Sequence, residues 1–303
     1  MPIHPLIVER LGSISEEVTL GVALQDVTAA YRMPEVQISE RTIDGPRGPI
    51  RIRLYRPPDA LSPRPGLLWA HGGGWARGDL DMPEAHVVAA ELAADPGAVV
   101  ASVEYRLAGE TSRYPVPLDD VHAAWRWFTE STAELGTDPG RLAIGGCSAG
   151  ANLAVGAATR ARDAGETTPS ALLLAYPFLH FPVPASPDDL VAELMHLPGP
   201  LRFTADAVMA LTFGYMGRLS DIPGHAMPGN GVITGLPPAY IVLSEIDDLR
   251  PSGELFARQL RECGIPVTTM TAEGMLHGHL NLPPVDHLPE IRRSLTFLST
   301  ALP

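Results

Sequence analysis

Gly146-Cys147-Ser148-Ala149-Gly150 sets a serine between two glycines, after the apolar run Arg141-Leu142-Ala143-Ile144. A serine on a sharp strand-to-helix turn needs such neighbours, because a side chain at either glycine would strike the adjoining strand or helix. The alanine-rich stretch 151–162 reads as the helix that follows. Ser148 then stands at a helix N-terminus, whose free N–H groups and dipole favour negative charge building up beside it. This is the pattern of a nucleophile elbow. It carries chemistry only in company: an acid and a histidine downstream in that order, and separate oxyanion donors upstream.

The flanking sequence supplies the frame. Leu67-Leu68-Trp69-Ala70 and residues 98–103 read as buried strands, with crossover helices at 83–94 and 118–129, the second turning Val121, Trp125 and Phe128 to the core. Beyond the elbow helix, Leu172-Leu173-Leu174-Ala175-Tyr176, Tyr240-Ile241-Val242-Leu243 and residues 267–270 read as three more strands, with helices at 253–263 and 289–300. This alternation predicts an α/β protein with a mostly parallel central sheet flanked by helices. Ahead of it, residues 36–42 and 50–55 alternate apolar with polar around Asp44-Gly45-Pro46-Arg47-Gly48, which predicts an antiparallel hairpin at the sheet's entry edge.

Two stretches stand outside this rhythm. Residues 6–32 have apolar residues at helical spacing, with Ser13 and Ser15 before Glu16-Glu17 as helix starts and Met33-Pro34 as the stop, so one or two helices are expected. Residues 178–237 are rich in proline and glycine around the apolar segment 207–216. A connection of that length inside a compact domain serves as a lid or binding segment, so an inserted cap is expected there. The chain divides into N-terminal helices at 1–35, a core in two parts at 36–177 and 238–303, and the cap insertion at 178–237.

Composition narrows the function. In 303 residues, 45% of them hydrophobic, there is enough apolar material for a large core. A formal net charge of −13 repels nucleic acid and anionic membrane surfaces and leaves small neutral substrates as partners. The two cysteines, Cys147 and Cys263, do not make a disulfide framework, which fits a reducing compartment. Met1-Pro2-Ile3-His4-Pro5 lacks the basic and apolar regions of a signal peptide, and no apolar run approaches the roughly 20 residues needed to span a bilayer. A soluble cytoplasmic protein is expected.

The elbow's company is present. His71-Gly72-Gly73-Gly74-Trp75 follows the first buried strand, and three glycines allow the chain to turn sharply and a carbonyl to approach its N–H groups. Gly72, Gly73 and Gly74, with the N–H of Ala149, are the candidate oxyanion donors; which two of the glycines serve is left open. Each such donor contributes about 2.7–4 kcal/mol to acyl transfer. His71 precedes the serine, the wrong order for the base, and is expected to hold the loop by hydrogen bonding. Downstream, Ser244-Glu245-Ile246-Asp247-Asp248 follows a strand and offers Asp247 as the acid, with Asp248 and Glu245 as rivals on spacing. Glu273-Gly274-Met275-Leu276-His277-Gly278-His279 offers His277 as the base. A zinc site at His277 and His279 lacks the accompanying cysteines or carboxylates at ligand spacing.

On these residues the chain resembles the hormone-sensitive-lipase family of α/β-hydrolases, the bacterial family IV carboxylesterases. The resemblance rests on the His71 to Trp75 loop, Tyr105-Arg106-Leu107-Ala108 leading to Pro117-Leu118-Asp119-Asp120, the elbow at Ser148, Asp247 before Leu249-Arg250, and Gly274-Met275-Leu276-His277-Gly278. It implies the α/β-hydrolase fold with a helical cap, and hydrolysis of short- to medium-chain acyl esters through an acyl-enzyme. It implies a triad of Ser148, Asp247 and His277, no cofactor, and a homodimer. Three positions depart from the family pattern: Cys147 in place of aspartate, Gly109 in place of proline, and Pro251-Ser252 in place of an acidic pair. Relatives that act as hormone receptors have lost the histidine kept here as His277, and dehydratase relatives carry threonine where Ser148 stands.

Overall fold

The computed structural model describes residues 3–15, 17–58 and 63–302. Eight strands form one sheet in the order β1-β2-β4-β3-β5-β6-β7-β8, where β1 is Gln37–Ile43, β2 Ile50–Arg56, β3 Arg64–Ala70, β4 Val99–Glu104, β5 Thr137–Cys147, β6 Ala171–Ala175, β7 Ala239–Ile246 and β8 Val267–Leu276. The β1–β2 hairpin pairs Ile43 with Ile50 and enters the sheet antiparallel to β4. The other pairings, from β4 through β3 to β8, are parallel.

Alternation along the strands splits the core into two layers. Leu68 and Ala70 of β3, and Leu172 and Leu174 of β6, face the layer that holds Leu118, Leu153 and Phe256. Leu67 and Trp69, with Leu173 and Ala175, face the layer that holds Val88 and Ile291. Successive side chains of a strand point to opposite faces, and these strands are covered on both. The covering helices are Val116–Glu130, Ala149–Ala164 and Arg250–Glu262 on one face, and Pro83–Ala94 and Pro289–Ser299 on the other.

The expected elements are present, with adjusted ends. β8 runs well past the expected 267–270, because its pairing with β7 continues to Ile246 and Leu276 while Thr268, Thr269, Thr271 and Glu273 face outward and break the apolar run. The N-terminal stretch forms single turns, at Pro5–Val8, Leu20–Ala23 and Gln25–Thr28, in place of longer helices. Serine hydroxyls compete with the helix there: Ser13 Oγ donates to the Arg10 carbonyl at 2.7 Å, and Ser15 Oγ accepts from the N–H of Val18 at 3.1 Å. Glu16, read as part of a helix start, lies outside the described residues. Within 178–237 the helices are Asp188–Leu194 and Ala205–Met216, the second capped by Thr204 Oγ1 accepting from the Ala207 N–H.

Because β3 and β5 to β8 are parallel, their C-terminal ends lie along one edge of the sheet. The His71 loop, Ser148, Tyr176, Asp247 and His277 each follow one of those ends, which is where open parallel sheets gather their ligands.

Candidate active site

Ser148 has φ 52° and ψ −117°, a strained backbone for a side-chain-bearing residue, at the junction of β5 and the helix Ala149–Ala164. The flanking glycines are required by packing. A Cβ at Gly146 would lie 2.4 Å from the Ala70 carbonyl oxygen, and one at Gly150 would lie 2.2 Å from it. Close approach of β3 to the elbow therefore excludes a side chain at both positions. Cys147, between them, is wholly buried, and burial pushes its thiol well above the ordinary range, with the Glu84 charge adding to the shift.

His277 Nε2 lies 2.9 Å from Ser148 Oγ, and its Nδ1 lies 2.7 Å from Asp247 Oδ2. The other Asp247 oxygen accepts the Leu249 N–H at 2.8 Å, which fixes the carboxylate's orientation. Burial pushes the imidazole pKa down, but the charge and hydrogen bond of Asp247, with Glu84 and Asp248 behind, carry it above the ordinary histidine value. The rival acids are engaged elsewhere. Asp248 takes both arms of Arg202 at 3.0 Å and the Phe203 N–H at 2.8 Å, and Glu245 Oε2 accepts the Gly274 N–H at 2.6 Å. The second histidine, His279, has Ser244 Oγ 2.9 Å from one ring nitrogen and Ser294 Oγ 3.0 Å from the other. Burial and the neighbouring His277 push it down to about 3, so it stays neutral.

The glycine loop is held from behind. Tyr105 Oη sits 2.9 Å from the His71 carbonyl oxygen, its ring stacks on the His71 ring at 4.4 Å, and His71 Nδ1 lies 2.8 Å from the Gly72 carbonyl oxygen. Burial pushes the His71 pKa down, so it shapes the loop as a neutral ring. Of the three glycines, Gly72 leaves the donor set: its N–H is given to Glu84 Oε2 at 2.9 Å. Among the described residues the N–H groups of Gly73 and Gly74 have no hydrogen-bond partner. Both glycines have positive φ, 103° and 60°, conformations that side-chain-bearing residues rarely adopt.

Two side chains of the 178–237 stretch reach the site. The Phe203 ring meets the His277 ring edge-on at 4.5 Å, and Leu211 stands where a Cβ on Gly74 would meet its Cδ2 at 2.8 Å. Other aromatic residues of that stretch do different work: Tyr215 stacks in the core on Trp75 at 4.4 Å, and Phe213 is exposed beneath Arg113. Phe203 is held through Asp248, the residue after Asp247.

Sequence reasoning passed over three residues here. Glu84, in the first turn of Pro83–Ala94, is buried and bonded to Gly72, Tyr176 and Asn281. Its placement four residues before Val88, on the helix's apolar face, was the available signal. Tyr176 touches both histidine rings, at 5.0 Å to His277 and 5.1 Å to His279. Ser252, one of the departures from the family pattern, accepts the N–H groups of Leu179 and His180 at 2.9 and 3.1 Å and so anchors the start of the 178–237 stretch. Among the described residues no group of three histidine, cysteine or carboxylate side chains is placed to hold a metal ion, and no helix is long and apolar enough to cross a membrane.

Comparison with known proteins identifies the family. Residues 67–281 match the family described as alpha/beta hydrolase fold. The chain is 37% identical over 261 residues to the carboxylesterase NlhH of Mycobacterium tuberculosis, covering 82% of this chain and 77% of that one. It is 32% identical to the esterase LipI of the same organism, covering 92% and 88%. A hyperthermophilic esterase from Pyrobaculum calidifontis superposes with a TM-score of 0.82 at 30% identity, covering 99% and 97%. The chain belongs to the alpha/beta-hydrolase family, and its esterase relatives agree with the resemblance to the hormone-sensitive-lipase group.

Proposed function

We propose that this protein is a serine carboxylesterase in which Ser148 is the nucleophile, His277 the general base and acid, and Asp247 the residue that orients and charges the histidine. The observation that carries this is the unbroken relay from Asp247 through His277 to Ser148, 2.7 and 2.9 Å long, ending on the serine of the strained elbow turn. Ester-cleaving names among the relatives support the substrate class.

His277 takes the Ser148 proton as Oγ attacks the ester carbonyl carbon, giving a tetrahedral oxyanion in front of the Gly73, Gly74 and Ala149 N–H groups. As the intermediate collapses, His277 gives that proton to the leaving alcohol and an acyl-serine remains. Water, deprotonated by the same histidine, attacks the acyl carbon, and the proton returns to Ser148 Oγ as the acid departs. Asp247 stays ionised throughout and stabilises the imidazolium formed in each half-reaction.

Residues 1–35 and 178–237 form the cap in this reading, and Phe203 and Leu211 close an apolar, finite acyl pocket over the site. Each buried methylene contributes about 0.8 kcal/mol until the pocket is full, and further carbons then displace packed side chains. Short- to medium-chain esters are accordingly the preferred substrates. The test is kcat/KM for p-nitrophenyl esters from acetate to palmitate, below their micelle concentrations, with Ser148→Ala as the control and an organophosphate to titrate the serine. An optimum below about ten carbons, abolished in Ser148→Ala, is expected. A steady rise through the longest chains would replace the enclosed pocket with an open groove, and full activity in Ser148→Ala would end the serine assignment. A cytoplasmic site, supported by two free cysteines, and a homodimer, supported by the family resemblance, belong to the same proposal. Light scattering of the purified protein tests the second.

A further inference from the structure

Glu84 is a buried carboxyl that the reaction scheme does not use. It is 2% exposed, and the hydrogen bonds to its carboxylate come from neutral groups. Three donors converge on its two oxygens: the Gly72 N–H on Oε2 at 2.9 Å, and Tyr176 Oη and Asn281 Nδ2 on Oε1, each at 2.7 Å. These donors come from three separate places. Gly72 opens the glycine loop after β3, Tyr176 follows β6, and Asn281 closes the turn that begins at His277 and Gly278. The carboxyl's own backbone is fixed as well, since Trp69 Nε1 donates to the Glu84 carbonyl oxygen at 2.8 Å.

A carboxylate can accept all three bonds at once, whereas the protonated acid would need an acceptor. The Gly72 N–H cannot act as one, and the Tyr176 hydroxyl or Asn281 could do so only by giving up the bond it now donates. Burying a charge without a counter-ion is costly unless its neighbours are oriented to it. The titratable groups facing Glu84 are Tyr105 at the end of β4, Cys147 on β5, Tyr176 after β6 and His277 after β8. Of these, only His277 becomes positive. Burial holds the Glu84 carboxyl above its ordinary value, and the Tyr176 hydroxyl, the His277 charge and the other two donors pull it part of the way back. His277 in turn faces Asp247, Glu84 and Asp248, all acidic, and the neutral His279.

We propose that Glu84 is a positioning residue for the hydrolytic site, clamping the Gly72 to Gly74 loop to the turn that carries His277 and setting a second negative charge behind the imidazole. The inference rests on the serine-esterase reading above. Its mechanical consequence is that Gly72 is spent as an anchor so that Gly73 and Gly74 are aimed as donors. Its electrostatic consequence is that imidazolium formation is favoured from two sides, by Asp247 at contact and by Glu84 behind Tyr176.

Glu84→Gln tests it. The amide keeps the shape, and with its oxygen toward Gly72 its nitrogen donates to Tyr176 and to a flipped Asn281. The variant is expected to melt within a few degrees of the parent. Its kcat should fall by ~10- to 100-fold with KM little changed, as for loss of a hydrogen bond to a charged group. The His277 titration, followed by NMR with 15N-histidine labelling, should move down by about half a pH unit. A folded Glu84→Gln with an unmoved His277 midpoint, or with parental kcat, overturns the inference and leaves Glu84 a packing residue. Should Glu84→Gln not fold, Tyr176→Phe removes one arm of the clamp while leaving the carboxylate; a severalfold fall in kcat supports the clamp and parental kcat overturns it. If the parent shows no Ser148-dependent ester hydrolysis, the esterase reading fails, and the His277 midpoint in the Glu84→Gln protein still decides whether the charge acts on the imidazole.

Discussion

Substitution by alanine of Gly73 and Gly74, the two glycines proposed as oxyanion donors, should give opposite kinds of damage. At Gly73, φ is 103° and an added Cβ would lie 2.1 Å from the Arg77 carbonyl oxygen. The obstacle is backbone, and that backbone closes the turn itself, since the Arg77 N–H donates to the Gly73 carbonyl at 3.0 Å. Gly73→Ala must therefore open the turn and swing the Gly73 and Gly74 N–H groups off the oxyanion. Loss of one donor costs about 2.7–4 kcal/mol, a fall of ~100- to 1,000-fold in kcat, and loss of both costs more. At Gly74, φ is 60°, a left-handed conformation that alanine adopts at a cost of about 1–2 kcal/mol. Its Cβ meets only the tip of Leu211, at 2.8 Å, a side chain free to turn aside. Gly74→Ala should lower stability by about that amount and alter acyl preference through Leu211, with kcat held within about tenfold. Steady-state kcat on p-nitrophenyl butanoate, alongside thermal melts, separates the two. If Gly73→Ala kept kcat within about threefold of the parent, or fell less than Gly74→Ala, this loop would not be the oxyanion site.

Asp247→Asn is expected to lower kcat by ~10,000-fold through loss of the oriented, charge-stabilised imidazole, whereas Asp248→Ala should cost about tenfold or less by releasing Phe203; the reverse order would move the acid to Asp248. The acid limb of kcat/KM follows His277, which acts only when neutral. Since its pKa is carried above the ordinary 6.5, activity should be lost as pH falls through a midpoint above that value. In the residual activity of Asp247→Asn the midpoint should move to lower pH, and a limb that stays put would mean another group titrates. Cys147→Ser should keep activity within about threefold, because the buried, protonated thiol has no access to the substrate. In the native protein a thiol reagent should count one reactive cysteine, the exposed Cys263, and an acyl group trapped on Cys147 would refute this reading.

How much of this was legible in the sequence depended on whether the signal was local. The elbow is a local pattern: Gly146 and Gly150 are glycine because Ala70 of β3 passes within reach of both, and their flanking of Ser148 announces the turn. The strands were legible because burial on both faces leaves nearly unbroken apolar runs, and β8 was cut short where one face meets solvent. Long-range pairings were not legible. Spacing offered Asp247 with Asp248 and Glu245 as near rivals, and their separation is a matter of long-range contacts: Asp247 reaches His277 while Asp248 reaches Arg202 and Glu245 reaches Gly274. The choice among Gly72, Gly73 and Gly74 was hidden for the same reason, since the partner that removes Gly72 lies twelve residues away on a helix.

The acid loop joins chemistry to selectivity. Asp247 and Asp248 are consecutive at the end of β7, yet one orients His277 and the other holds Arg202 and the Phe203 backbone. Phe203 then lays its ring against the same histidine, so the stretch proposed to bound the acyl group is tied to the turn that carries His277. On the opposite side Glu84 ties the glycine loop to the turn after His277. The histidine is thus fixed through two carboxylates on different elements, and in neither case does the restraint pass through residues 205–216. That helix touches the site through Leu211, over Gly74, and otherwise packs on Trp75 through Tyr215. Changes along its exposed face can reshape the pocket while the relay from Asp247 to Ser148 keeps its geometry, because the parallel strands, and not the 178–237 stretch, set where each reacting group stands.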